Sequence, residues 1–469
     1  MVGRFGQGAN IHEILQNKSS FKDAIRPYLK WSMAAMLLLG FASGLPLMMV
    51  FSKLSFWLRE VGVDRSVIGG FYAVSLAYSL KVFWAPVVDR VRIPVLTARL
   101  GQRRSWMLLA VFGVILGLLT IGSSDPATDL RPTLLGAFIL AYSGATLDIA
   151  VDAWRIESAP DDEQANMAAV YILGYRMAIM FAGIGLIIAA KSSWFVAYVV
   201  MAGSMSLVAG LVFWIREPVR AEKLAGADKS LLRNMADAVV QPFWQIVARY
   251  GRWVVPVLLL VGLYRLSDFT MGTMASPFYS DLGYSKETVG VITGLFGPWP
   301  IVAGGFLGGF VAVRYRLMPA LLFGAVITLL TNGAFASLAL AAGPGLDLAA
   351  SGDATAVVNT PSSAALLVVI VADNLAAGYV GTVFVAYLSS LTERQYAATQ
   401  YALFSSAYSL FCKLVASTTS GPLSEVAGWA GFYVVTALFA VPSAILIVYI
   451  MQYGPEHARG LAVTEVEPE

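Results

Sequence analysis

The chain has 469 residues, 58% of them hydrophobic and 13% charged, with a formal net charge of +3. A soluble chain carries about 25% charged residues, so the roughly three soluble domains suggested by length are excluded, and the small net charge argues against a nucleic-acid partner. His12 and His457 lie in polar tails and Cys412 is the single cysteine, which excludes a His-ligated metal site in the apolar part and an internal disulfide.

The N-terminal tail, 1–31, is polar and basic and lacks the apolar core of a cleavable signal. A spanning helix needs about 20 mostly apolar residues. About twelve stretches qualify: 32–54, 66–88, 104–122, 132–156, 165–190, 193–215, 253–277, 286–312, 317–342, 363–390, 397–418 and 428–451. The expected class is an all-α polytopic membrane protein, with a six-helix bundle over 32–215, a second over 253–452 and a tail over 453–469. The linker between them, 216–252, is charged early and mixes Phe243, Trp244 and Ile246 with polar residues later, the pattern of an amphipathic surface helix. Lys and Arg crowd the tail, the loop at 90–104, the linker and Arg314–Arg316, which places both termini in the cytoplasm. The polar stretch 343–362 has no Lys or Arg and faces outward. A Gly-x₆-Gly spacing opens the second helix (Gly62, Gly69) and the eighth (Gly283, Gly290). Parallel six-helix halves of this kind predict the major facilitator fold, with its site near the midplane between them.

Seven ionisable residues interrupt the apolar stretches: Lys81, Asp148, Arg176, Arg265, Asp268, Asp373 and Lys413. A charge in hydrocarbon is costly, so such groups face a bundle interior or a watery cavity. Charges of this kind in both halves indicate a device that moves a polar solute.

In the first helix, Gly40 and Gly44 permit close packing and Pro46 a bend. The second helix holds Lys81 and ends at Asp89-Arg90; Gly101-Gln-Arg103-Arg104 follows. This arrangement suits a cytoplasmic latch, in which a carboxylate meets a helix N-terminus and the arginines pair with carboxylates at neighbouring helix ends. The same arginines also serve topology without any latch. In the fourth helix, Asp148, Asp152 and Arg155 share a face. Asp152, Arg155 and Glu157 lie near the cytoplasmic end, within reach of Arg103 and Arg104. Asp148 is a turn deeper, level with Lys81, and the two are expected to pair, either statically or with Asp148 taking up a proton during transport.

Arg176 in the fifth helix and Arg265 in the seventh lie near the midplane, one from each half, where a guanidinium fork suits an anionic solute. Tyr171, Tyr175 and Tyr264 flank them, as sugar or peptide contacts or as packing. Asp268, three residues after Arg265, pairs within its helix or joins Asp373 as a proton-coupling group. Asp373 and Lys413 are expected to pair across the second half. An enzyme reading has Asp148 and Asp152 chelating Mg²⁺ on a prenyl diphosphate, although the second Asp-rich motif such enzymes need is missing from the sequence.

The stretches Gly40-Phe-Ala-Ser-Gly-Leu-Pro-Leu47, Lys81-Val-Phe-Trp-Ala-Pro-Val-Val-Asp-Arg90, Gly101-Gln-Arg-Arg-Ser-Trp106, Asp148-Ile-Ala-Val-Asp-Ala-Trp-Arg155 and Leu173-Gly-Tyr-Arg176 resemble AmpG-type permeases of Gram-negative bacteria. That resemblance implies import of anhydro-muropeptides, products of peptidoglycan turnover, from periplasm to cytoplasm. It implies a bacterial inner-membrane monomer in the lipid bilayer with a small glycopeptide as substrate, driven by the proton gradient with no cofactor. It places functional weight on Asp148 and Arg176. A related branch resembles acetyl-coenzyme A transporters, which makes an anionic thioester the alternative solute.

Overall fold

The computed structural model describes residues 30–158, 164–218, 248–353, 355–392 and 397–459. Residues 1–29 and 460–469 of the two tails, most of the linker with its expected amphipathic helix, and Arg394 lie outside the described residues. Ten helices among the described residues are long and apolar enough to cross a membrane. The last of these, Phe404–Tyr453, turns at Gly428, whose φ is 68°, and so makes two passes. Residues 65–90 add a broken helix, giving twelve passes.

We label them α1 (Trp31–Glu60), α2 (65–90), α3 (Gln102–Gly122), α4 (Leu130–Ser158), α5 (Gln164–Lys191), α6 (Trp194–Trp214), α7 (Ala248–Asp281), α8 (Lys286–Tyr315), α9 (Leu317–Ala342), α10 (Ser363–Ser390), α11 (397–427) and α12 (429–453).

The breaks have local causes. Proline supplies no N–H and its ring crowds the carbonyl four residues earlier. In α2 the chain tightens into a 3₁₀ turn at Lys81–Phe83 just before Pro86, after an earlier one at Tyr72–Ser75. The regular helix expected over 66–88 is therefore three short pieces. In α1 a wide π turn, Met49–Lys53, follows Pro46, and in α8 another, Val291–Phe296, precedes Pro298. α7 is interrupted at Tyr264 and Arg265 rather than continuous over 253–277.

Small residues let α1 and α5 pack closely in the first half. A Cβ on Gly40 of α1 would collide with the Tyr171 carbonyl of α5, so only glycine lets these backbones meet.

Two apolar cores result. The larger joins α1–α6 to the ends of α7, α9 and α12 near Phe278, Phe335 and Trp429. The smaller, around Tyr264, Phe384 and Ile447, lies among α7, α9, α10, α11 and α12 toward the end that carries Arg316. The two halves are thus packed into one core at a single end of the molecule. We call that end the closed face and the end that carries Arg103 and Arg316 the basic face.

Candidate functional site

Several of the charges that interrupt the helices gather midway between the two faces. On the first-half side, Lys81 Nζ lies 3.5 Å from Asp148 Oδ2, as the sequence predicts. The 3₁₀ turn at Lys81 aims its ammonium toward α4. The other oxygen, Asp148 Oδ1, is buried without a hydrogen bond, and so is the Tyr78 hydroxyl. Tyr78, Tyr171 and Tyr175 all lie within the field of Asp148. Arg176, next along α5, is half-buried and has no carboxylate at ion-pair distance among the described residues. A guanidinium with five donors and no anion, inside a membrane bundle, is a ready acceptor for an anionic group.

On the second-half side, the break in α7 brings Arg265 Nε to 3.2 Å from Asp268 Oδ2 within the same helix. Asp373 of α10 lies in the field of both. One guanidinium there stands against two carboxylates. The wall is amphoteric, with a surplus cation on the α5 side and a surplus anion on the α7–α10 side.

Two expectations need correction. Lys413 does not meet Asp373. It reaches from α11 across to α2, where its ammonium donates to Ser75 O at 3.3 Å and Ser79 Oγ at 3.1 Å, and Ser79 also hydrogen-bonds Ser409. Helix α11 packs so closely on α2 that the nearest acceptors belong to the other half. Tyr264 lies in the field of Arg265 and Asp268, but its ring and hydroxyl are committed to packing. It is 4% exposed, stacks on Phe384 and donates its hydroxyl to the Leu321 carbonyl, which makes it a packing residue of the smaller core.

At the basic face, Arg103 binds two carboxylates. Nη1 lies 2.5 Å from Asp89 Oδ1, while Nε and Nη2 grip both oxygens of Glu157 at 2.9 and 2.6 Å. Arg104 instead donates to the Val212 and Phe213 carbonyls, closing the end of α6, so it does not reach α4. Asp152 is not met by Arg103; its nearest cation is Arg155 at 4.0 Å on its own helix. The Arg90 side chain lies outside the described residues. Glu217, which carries no motif in the sequence, accepts the backbone N–H groups of Arg103 and Arg104 and caps the start of α3.

A larger omission is the closed face. Arg59, at the end of α1, reaches Asp281, at the end of α7, with Nε–Oδ1 at 2.5 Å; it also donates to the Val63 and Ala350 carbonyls. Trp429 Nε1 donates to the other Asp281 oxygen at 2.9 Å, and the Arg65 guanidinium lies 5.0 Å over the Trp429 ring. Lys286 of α8 meets Glu60 of α1 at 2.7 Å. Asp347 accepts the Trp429 N–H and fixes the turn at Gly428. The sequence contained one signal for this clamp: opposite charges end the first helix of one half (Arg59, Glu60) and of the other (Asp281), with Lys286 opening the next.

Comparison with known proteins agrees with this architecture. Residues 36–352 match the model of the Major Facilitator Superfamily. The chain is 32% identical to the transporter AmpG 4 of Rickettsia felis over 416 residues, 88% of this chain and 95% of that protein. It is 29% identical to the anhydromuropeptide permease of Escherichia coli strain K12, over 89% of this chain and 79% of that one. Among solved structures, a bacterial homolog of the human lysosomal transporter Spinster, inward-facing and unoccupied, superposes with a TM-score of 0.62 at 14% identity, covering 93% of this chain and 98% of the other.

Proposed function

As a member of the Major Facilitator Superfamily and, within it, of the AmpG-type permeases, the chain is a membrane transporter rather than an enzyme, and we propose that it imports anhydro-muropeptides from periplasm to cytoplasm, driven by the proton gradient. The basic face lies in the cytoplasm, where Lys and Arg are retained. On this reading the face closed by the Arg59–Asp281 clamp is the periplasmic one. The two halves rock as bodies about the linker at 216–252.

The observation that carries the reading is Arg176 of the first half, without a counter-ion among the described residues, together with Asp268 and Asp373 of the second half, which share Arg265. A solute joining sugars to a charged peptide offers a carboxylate to the first and polar groups to the second. The E. coli relative is named for such a solute. Tyr171 and Tyr175, half-buried, precede Arg176 on α5 and lie in the field of Asp148. Asp148 is the proton carrier of this scheme. Its single ion pair is long, at 3.5 Å, and one oxygen has no donor, so protonation sacrifices little hydrogen bonding.

Uptake of labelled anhydro-muropeptide into proteoliposomes, with and without a pH gradient, tests the assignment. Accumulation against a concentration difference is expected only with the gradient. Arg176→Ala lowers uptake by about thirtyfold or more, the equivalent of about 2 kcal/mol for a lost buried charge contact. Uptake indifferent to the gradient ends the coupling, and normal uptake by Arg176→Ala ends the role of that residue.

A further inference from the structure

The closed face is not flat. Above the clamp lies a cavity of about 980 Å³, at the upper end of the size range of ligand sites. Its wall is charged. The pairs Arg59–Asp281 and Lys286–Glu60 neutralise themselves. What remains in the lining is one guanidinium, Arg65, and the carboxylates Asp64, Glu287 and Glu425.

Arg65 stands out among these groups. It is 95% buried, being 5% exposed, yet its Nη1 has no hydrogen-bond partner. Glu425 is nearby but spends Oε1 on the Ser66 backbone N–H at 2.8 Å. A buried guanidinium donor without a partner beneath a polar cavity is costly, and it gains one if Arg65 turns toward a group in that cavity. The surplus of carboxylates around it selects against a simple anion and in favour of a group bearing both charges.

We propose that this cavity is a first-contact site for a short zwitterionic peptide, with the carboxylate at one end taken by Arg65 and the ammonium at the other by Glu425 and Asp64. It deepens, and rests on, the glycopeptide reading of the transporter. The site is also linked to the clamp. Arg65 covers Trp429, and Trp429 holds one oxygen of Asp281, so a carboxylate that draws Arg65 away from the ring loosens the partner of Arg59.

A thiol at Ser351, an exposed residue in the cavity wall, reports occupancy. The native Cys412 is buried, so the Ser351→Cys thiol is the one a charged maleimide reaches. The full chain is held in lipid nanodiscs, with both faces accessible, and labelled in the presence of tri-alanine or its N-acetylated or C-amidated forms. Tri-alanine is expected to slow labelling, and each capped form to need about tenfold more peptide for the same protection, the loss of one charged contact. Arg65→Gln removes protection, whereas Arg176→Ala, which disables the deeper site, leaves it. Should Arg65→Gln not fold, Glu425→Gln and the capped peptides on the Ser351→Cys protein give the same reading.

Equal protection by doubly capped peptide, or protection lost in Arg176→Ala and kept in Arg65→Gln, overturns the site. Protection with the expected pattern in protein that takes up no anhydro-muropeptide supports the site and overturns the substrate assignment instead.

Discussion

The two ends of the molecule use one chemistry for different purposes. At each, an arginine pairs with carboxylate, Arg103 through three nitrogens and Arg59 through its Nε alone. At the basic face, Arg103 holds Asp89 and Glu157, the ends of α2 and α4, all within the first half. At the closed face, Arg59 of α1 holds Asp281 of α7, across the halves and 222 residues away. The first tie makes one bundle rigid. The second joins two bundles and must break if they are to rock. Exposure differs accordingly: the Arg59 and Asp281 side chains are 7% and 8% exposed, whereas Asp89 and Glu157 are 43% and 25% exposed. An ion pair sealed from water is strong while both partners are present and very unfavourable when one is removed.

Arg59→Ala therefore has the largest expected effect. It leaves Asp281 buried with only the Trp429 N–H, a penalty of about 3–5 kcal/mol, and one confined to the sealed state. Spin labels at Ser192 and Ser351, exposed residues on either side of this face, should gain a longer distance component. A single unchanged short distance would show that the apolar core alone seals the face.

Arg103→Ala should do something different. Water can reach the carboxylates it abandons, so the loss is about 1.5–3 kcal/mol, that of hydrogen bonds to charged groups. It should appear as a lower melting temperature with the Ser192–Ser351 distances unchanged. A change in those distances would make the Arg103 network part of the opening equilibrium, as the latch motif suggests, and would erase the contrast between the two ends.

What the sequence revealed follows the same division. Interactions within a half were legible in part, because helix periodicity and the level of a residue in the bilayer narrow who can meet whom, although Arg104 and Asp152 took other partners than expected. Lys81 with Asp148, Arg265 with Asp268 and Arg103 with Glu157 all follow from spacing. Contacts between halves were not legible. The acceptors of Lys413 and the partner of Arg59 depend on how the bundles are tilted, which no local pattern encodes. Tyr264 was misread for a related reason: its place beside Arg265 in the chain says nothing about α7 breaking there and turning the ring toward Phe384. The breaks themselves were half visible. Pro86 and Pro298 marked them, but not whether the helix before each would tighten, as in α2, or widen, as in α8.

The smallest expected effect tests whether burial, rather than the crossing of halves, gives the clamp its strength. Lys286–Glu60 also joins the halves, at 2.7 Å, but its side chains are 20% and 34% exposed. Glu60 retains the Trp194 indole N–H at 2.6 Å when the lysine is removed. Lys286→Ala should therefore cost about 0.2–1 kcal/mol, the range of solvent-accessible pairs, and what it does cost should shrink as salt is raised. In the Ser192–Ser351 measurement the longer component should grow by much less than in Arg59→Ala. An opening as large as that of Arg59→Ala would mean that any tie across the halves counts equally, and that the sealed environment of Asp281 adds nothing to the strength of the clamp.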